Sequence, residues 1–168
     1  MLDLQKKGFV DPVRNKGFRV TAVEPADLQE LIMLRSWLEV PAFQRAARTF
    51  PKERIGEFRE LADAIVAAVD RGDMATWLTA DDEFHLAVLK LTGSKRLIEM
   101  VSTLRQQTRM VNLVEMVGTS AVRRSATEHH QMLDLLMEGD EEGLGRLLVS
   151  HISLVLEERA EGAAPQRA

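Results

Sequence analysis

Cysteine is absent from the 168 residues, tyrosine is absent as well, and aromatic side chains make up only 5% of the chain. Lack of cysteine excludes disulfides, thiolate catalysis and zinc ribbons, and it suits a reducing cytoplasm. No apolar run approaches the roughly 18 residues needed to span a bilayer. The opening segment, Met1 to Lys7, has no leader-like apolar stretch. A cytoplasmic chain with no membrane partner is therefore expected. The formal net charge of -4 also excludes a surface that is basic all over, so any contact with nucleic acid must be local.

What the chain does have is leucine, alanine, valine and 8 methionines, 45% hydrophobic residues against 29% charged. That is the composition of helices packed on one another. One stretch differs: residues 8–20 place β-formers on both sides of a polar tetrad ending in Gly17, which predicts a short basic hairpin. From Pro25 to about Arg159 apolar residues recur every three or four positions. Breakers divide this stretch into six helices. Pro25 opens the first, which runs to about Arg48, and Pro51 sits early in the second, which Gly72 ends. Asp73 caps the third, Thr92-Gly93 closes it, and Ser94 caps the fourth. Thr119 or Ser120 caps the fifth, Gly139 ends it, and Asp140 caps the sixth. Links this short make neighbouring helices antiparallel, so the expected fold is all-α: an antiparallel six-helix bundle preceded by a short β-hairpin.

Polar residues interrupt the apolar stripes at particular places. On helix three, Met74, Leu78, Asp81, His85 and Val88 share a face, with Asp81 and His85 one turn apart. Helix five carries Val122, Ala126, His129, Leu133 and Leu136, and helix six carries Leu144, Leu147, His151 and Leu154. His129 is ten residues before Gly139 and His151 twelve after it. At about 1.5 Å per residue, both lie roughly 15–18 Å from that turn and level with each other in an antiparallel pair. Burying one carboxylate and three imidazoles separately is costly, whereas a divalent cation satisfies them together. Asp81, His85, His129 and His151 form a donor set suited to zinc, nickel, manganese or iron. His130 adjoins His129, and the stripe favours His129.

Arg35 lies within the apolar face Leu28, Leu31, Leu38, Ala42 of helix one. It can pair with Glu39 one turn on, or fork onto the carboxylate of a ligand. Arg105 and Arg109 flank the stripe of helix four and could add a second charge, although a solvated face suits one of them.

Together, Arg35-Ser36-Trp37-Leu38-Glu39, Asp81-Asp82-Glu83-Phe84-His85 with Thr92-Gly93-Ser94, Glu128-His129 with Gly139-Asp140, and His151 resemble the FCD effector-binding domain of GntR-family regulators, FadR subfamily. The resemblance covers roughly residues 24–160. It implies the six-helix form of the bundle and a divalent metal, zinc or nickel, on Asp81, His85, His129 and His151. It also implies a small organic acid on that metal and a homodimer built on helices one and four; Arg35, with Arg105 or Arg109 as a second contact, is the expected partner of the acid's carboxylate. Ser94 stands where the family commonly has Asn; either residue caps a helix.

Residues 5–20 look like the wing of that family's winged-helix domain, with Lys6, Lys7, Arg14, Lys16 and Arg19 on its positive side. Arg14 and Lys16 are the expected weak DNA contacts. The expected division is therefore residues 1–22 as a wing remnant and linker, 23–160 as the ligand-binding bundle and 161–168 as a frayed tail. A wing touches phosphates but reads few bases, so specific DNA binding is expected only through a complete winged helix. No catalytic residue is expected. The alternative, a metal-dependent hydrolase on a helical bundle, needs a general base beside the metal. No His-Glu-x-x-His occurs, and Asp82 and Glu83 are expected to project off the Asp81/His85 face.

Overall fold

The computed structural model describes residues 10–13, 17–20, 25–116 and 120–162. Two strands, β1 (Val10–Val13) and β2 (Gly17–Val20), pair antiparallel with Val10 opposite Val20 and Val13 opposite Gly17. Six α-helices follow: α1 (Pro25–Arg48), α2 (Ile55–Asp70), α3 (Met74–Lys90), α4 (Lys95–Met116), α5 (Ser120–Glu138) and α6 (Glu141–Gly162). The expected all-α bundle preceded by a hairpin is the fold observed.

The boundaries follow from local chemistry. Asp73 accepts the backbone N–H of Thr76 at 3.1 Å, satisfying one of the donors that a helix N-terminus leaves unpaired. Ser94 does the same for Leu97, and Asp140 for Gly143. Gly72 and Gly139 adopt φ of 67° and 74°, the left-handed conformation that ends a helix at little cost only in glycine.

Three differences from the expected boundaries have simple causes. Pro51 does not begin α2; it precedes a 3-10 turn, Lys52–Arg54, which makes way for α2 at Ile55. Helix α1 continues through Pro41, which is exposed, so the missing N–H forfeits one hydrogen bond where the chain faces solvent. Helix α6 reaches Gly162, two residues into the expected tail. Thr119, Arg14 and Lys16 lie outside the described residues.

Helix α1 packs on α6 and α4, α2 on α3 and α5, and α5 on α6. Leu28 and Phe43 of α1, Ile65 of α2, Phe84 of α3, Leu133 of α5 and Leu148 of α6 are fully buried between them. The same bundle interior encloses Glu39, Asp81, His85, Arg105, His129 and His151, all buried.

Candidate metal centre

A donor atom from each of Asp81, His85, His129 and His151 lies within 4.8 Å of the other three. His129 Nε2 is 3.2 Å from both His85 Nε2 and Asp81 Oδ1. The His129 and His151 ring centres are 4.9 Å apart, as the count of residues on either side of Gly139 requires. An ion bound to imidazole nitrogen at about 2.0–2.1 Å spaces two donors by at most about 4 Å, so slight side-chain adjustment closes this set on a cation. His130 is excluded from the group: it is half-exposed and sits 3.2 Å from Asp63 on α2.

The outward atoms of three of the four residues are hydrogen-bonded, and the fourth, His85 Nδ1, faces a carboxylate. His151 Nδ1 donates to Glu128 Oε2 at 2.8 Å, which leaves Nε2 as its free nitrogen. His129 Nδ1 faces the Ala126 carbonyl at 3.3 Å. His85 Nδ1 is 3.2 Å from Glu39 Oε2, close but not aligned for a hydrogen bond. Asp81 Oδ2 receives Arg109 Nη2 at 2.7 Å and also Arg105 Nη2, while Oδ1 faces His129. Partners of this kind orient ligand side chains and fix the imidazole tautomer.

Arg35 takes the plainer of its two expected roles, donating from Nε to Glu39 Oε1 at 2.7 Å. Neither Arg105 nor Arg109 occupies a solvated face. Arg105 is buried, bonded to Glu39 Oε2 at 3.2 Å, to Asp82 Oδ1 at 2.9 Å and to Asp81. Arg109, with its side chain 20% exposed, pairs with Asp81 and Asp82. Asp82 therefore does not project away from the cluster: it turns toward α4, drawn by two guanidiniums. Glu39 as a partner of His85 and Glu128 as a partner of His151 were not foreseen. An inward acid beside an inward histidine at Glu128-His129 was the available signal.

Burial favours neutral imidazole, and it is the main reason that His85 is held well below its ordinary pKa, with the Arg105 charge adding to it. Burial, with His129 adding to it, also lowers His151. Burial would raise the Asp81 and Glu39 carboxyls. For Asp81, Arg105 and then His129 outweigh it; for Glu39, Arg35 and then Arg105 do, and both stay ionised. Neutral imidazoles and an ionised carboxylate are the forms that ligate. In metal-free protein the folded state thus binds fewer protons at His85 and His151 than the unfolded state, whose histidines titrate near about 6.5. Stability is then full above that pH and is lost as pH falls through the lower folded values. Thermal melts in chelator should show a level melting temperature from pH 8 to 7 and a decline toward pH 5; a melting temperature that rose on acidification would contradict this.

The architecture is thus a helical-bundle domain built around a buried donor set able to hold a cation. Residues 30–154 match the FCD domain model. The chain belongs to the FCD domain family. It is 34% identical over 88 residues to an uncharacterized HTH-type transcriptional regulator of the ttuE-ttuC' intergenic region in Agrobacterium vitis, a match covering 51% of this chain and 52% of that one. It is 25% identical over 151 residues to the Nta operon transcriptional regulator of Aminobacter aminovorans, covering 89% and 69%. Among solved structures it superposes on Escherichia coli McbR/YncC with a TM-score of 0.84 at 22% identity, covering 96% of this chain and 81% of that one, a likeness of fold. The curated relatives are named as transcriptional regulators, which speaks against the hydrolase alternative. Among the described residues no helix is long and apolar enough to cross a membrane.

Proposed function

We propose that the bundle, residues 23–160, is the effector-sensing unit of a FadR-subfamily regulator, holding one divalent metal, zinc or nickel, on Asp81, His85, His129 and His151. Its effector would be a small carboxylate that completes the metal's coordination and controls DNA binding by a homodimer. The observation that carries this reading is that a donor atom from each of the four residues lies within 4.8 Å of the others, while Glu128, the Ala126 carbonyl and the Arg105/Arg109 pair bond His151, His129 and Asp81 from outside and Glu39 faces His85 Nδ1.

Charge supports an anionic effector. Glu39, Asp81 and Asp82 balance Arg35, Arg105 and Arg109, so a divalent cation adds two positive charges that the buried network leaves uncompensated. Arg109 is the least buried of the three arginines and is the one placed to exchange Asp82 for an effector carboxylate. Residues 1–22 would serve as wing and linker, with Arg14 and Lys16 touching phosphate. Met33 and Trp37 on α1 and Met100 on α4 are exposed, which supports a dimer interface on those two helices.

Titration calorimetry of the zinc-loaded protein against short hydroxy-, keto- and dicarboxylic acids tests the reading. One acid should bind per chain, chelation should abolish the heat, and Arg109→Ala should weaken binding by about tenfold or more, as expected for loss of a charged hydrogen bond. Arg35→Ala should act on stability far more than on affinity. Binding that survives removal of the metal undiminished would contradict the proposal.

A further inference from the structure

Of the groups that face the four donors from outside, the Glu128 carboxylate is the one tied to a half-exposed cation, Arg124. Its Oε2 accepts from His151 at 2.8 Å and its Oε1 accepts from Arg124 Nε at 3.0 Å. The same guanidinium donates from Nη2 to Ser150 Oγ at 2.8 Å. Arg124 and Glu128 are one turn apart on α5, and Ser150 immediately precedes His151 on α6. The guanidinium therefore spans the α5–α6 seam beside His151, and its own side chain is 49% exposed while that of Glu128 is 6% exposed.

We propose that Arg124 is a positioning residue for the metal centre, acting on His151 through Glu128. This rests on the metal-site reading above. A carboxylate alone can turn about its final bond and be drawn out toward water, releasing the imidazole. With Oε1 held by a planar donor that is itself held by Ser150, Oε2 remains on the His151 Nδ1–H, the proton remains on Nδ1, and the lone pair of Nε2 stays directed into the cluster. The contribution to metal affinity thus comes from outside the buried network, by way of a residue bonded to Glu128 and Ser150.

The test is zinc affinity by competition with a chromophoric chelator for wild type, Arg124→Ala, Glu128→Ala and the double variant, with Arg124→Gln as a milder companion should the alanine variant fold poorly. Removing an outer partner of a metal ligand typically weakens binding about 10–100-fold, so Glu128→Ala should fall in that range and Arg124→Ala toward its lower end, about tenfold. Because both act through one carboxylate, the double variant should bind zinc no more weakly than Glu128→Ala alone. A merely structural role would instead give the same fold-loss from Arg124→Ala in either background, and that would overturn the proposal. Wild-type affinity in both Arg124 variants, with one zinc per chain retained, would overturn it too and leave the metal site standing. Failure of the wild-type chain to bind zinc would overturn both.

Discussion

His129→Ala is expected to abolish stoichiometric zinc binding, while His130→Ala retains it. The two residues are adjacent, but a helix turns about 100° between them, and only His129 enters the bundle. Its Nε2 lies within 3.2 Å of both Asp81 and His85, on another helix, and its ring is packed edge-on to Phe84 at 4.7 Å. His130 faces Asp63 at the surface. The consequence for stability is large because the four donors come from α3, α5 and α6, so a cation ties three helices together. A ligand at about 1,000 times its dissociation constant adds about 4 kcal/mol to the folded state. For a chain of this size each kcal/mol moves the melting temperature by about 2–4 °C. Zinc should raise the wild-type melting temperature by roughly 8–16 °C, and His129→Ala should lose nearly all of that gain. If zinc stabilises His129→Ala as strongly as wild type and fails to stabilise His130→Ala, helix α5 is turned the other way.

Arg105→Ala is expected to be the most destabilising of the arginine substitutions, by about 3–5 kcal/mol in metal-free protein. Three carboxylates, Glu39, Asp81 and Asp82, meet this one guanidinium, and its side chain is only 3% exposed. Alanine would leave Glu39 with Arg35 alone and strip Asp81 of one of its two cations, inside a region where water cannot replace them. Much of the loss is the cost of uncompensated buried charge, not the intrinsic worth of the ion pairs. Urea unfolding should show a fall in midpoint with little change in slope. Arg48→Ala, which removes an exposed pair with Glu141, is the control and should change little. Equal effects from the two substitutions would mean that the buried network is not what holds this end of the bundle.

What is legible in the chain is what one helix or one short turn encodes. Asp81 and His85 are one turn apart, so their common face follows from helical spacing alone. His129 and His151 meet because a helical hairpin has a fixed rise and a turn fixed by Gly139. Arg35 with Glu39 is again a one-turn pair. Contacts between helices remote in sequence leave no such trace. Arg105 bonds Glu39 across 66 positions and Asp82 across 23, and nothing in the periodicity of α4 distinguishes an arginine beside a stripe from one drawn into the bundle. Helical spacing allows Glu39 to pair with Arg35, but it carries no sign that the second oxygen serves Arg105 and faces His85, a role set by how α1 packs against α3 and α4. Pro41 shows the opposite limit: a residue that usually interrupts a helix is carried within one, because the packing of α1 on α6 and α4 outweighs one lost hydrogen bond at an exposed position.

Native mass spectrometry of the protein loaded with zinc, then dialysed free of excess, tests the central claim most directly. The expected species is a dimer of twice 18.9 kDa carrying two zinc ions, reduced to the bare protein mass by chelator and not formed with zinc by His129→Ala. A chain that emerges without zinc after loading, or that carries the same zinc content when His129 is alanine, would contradict it.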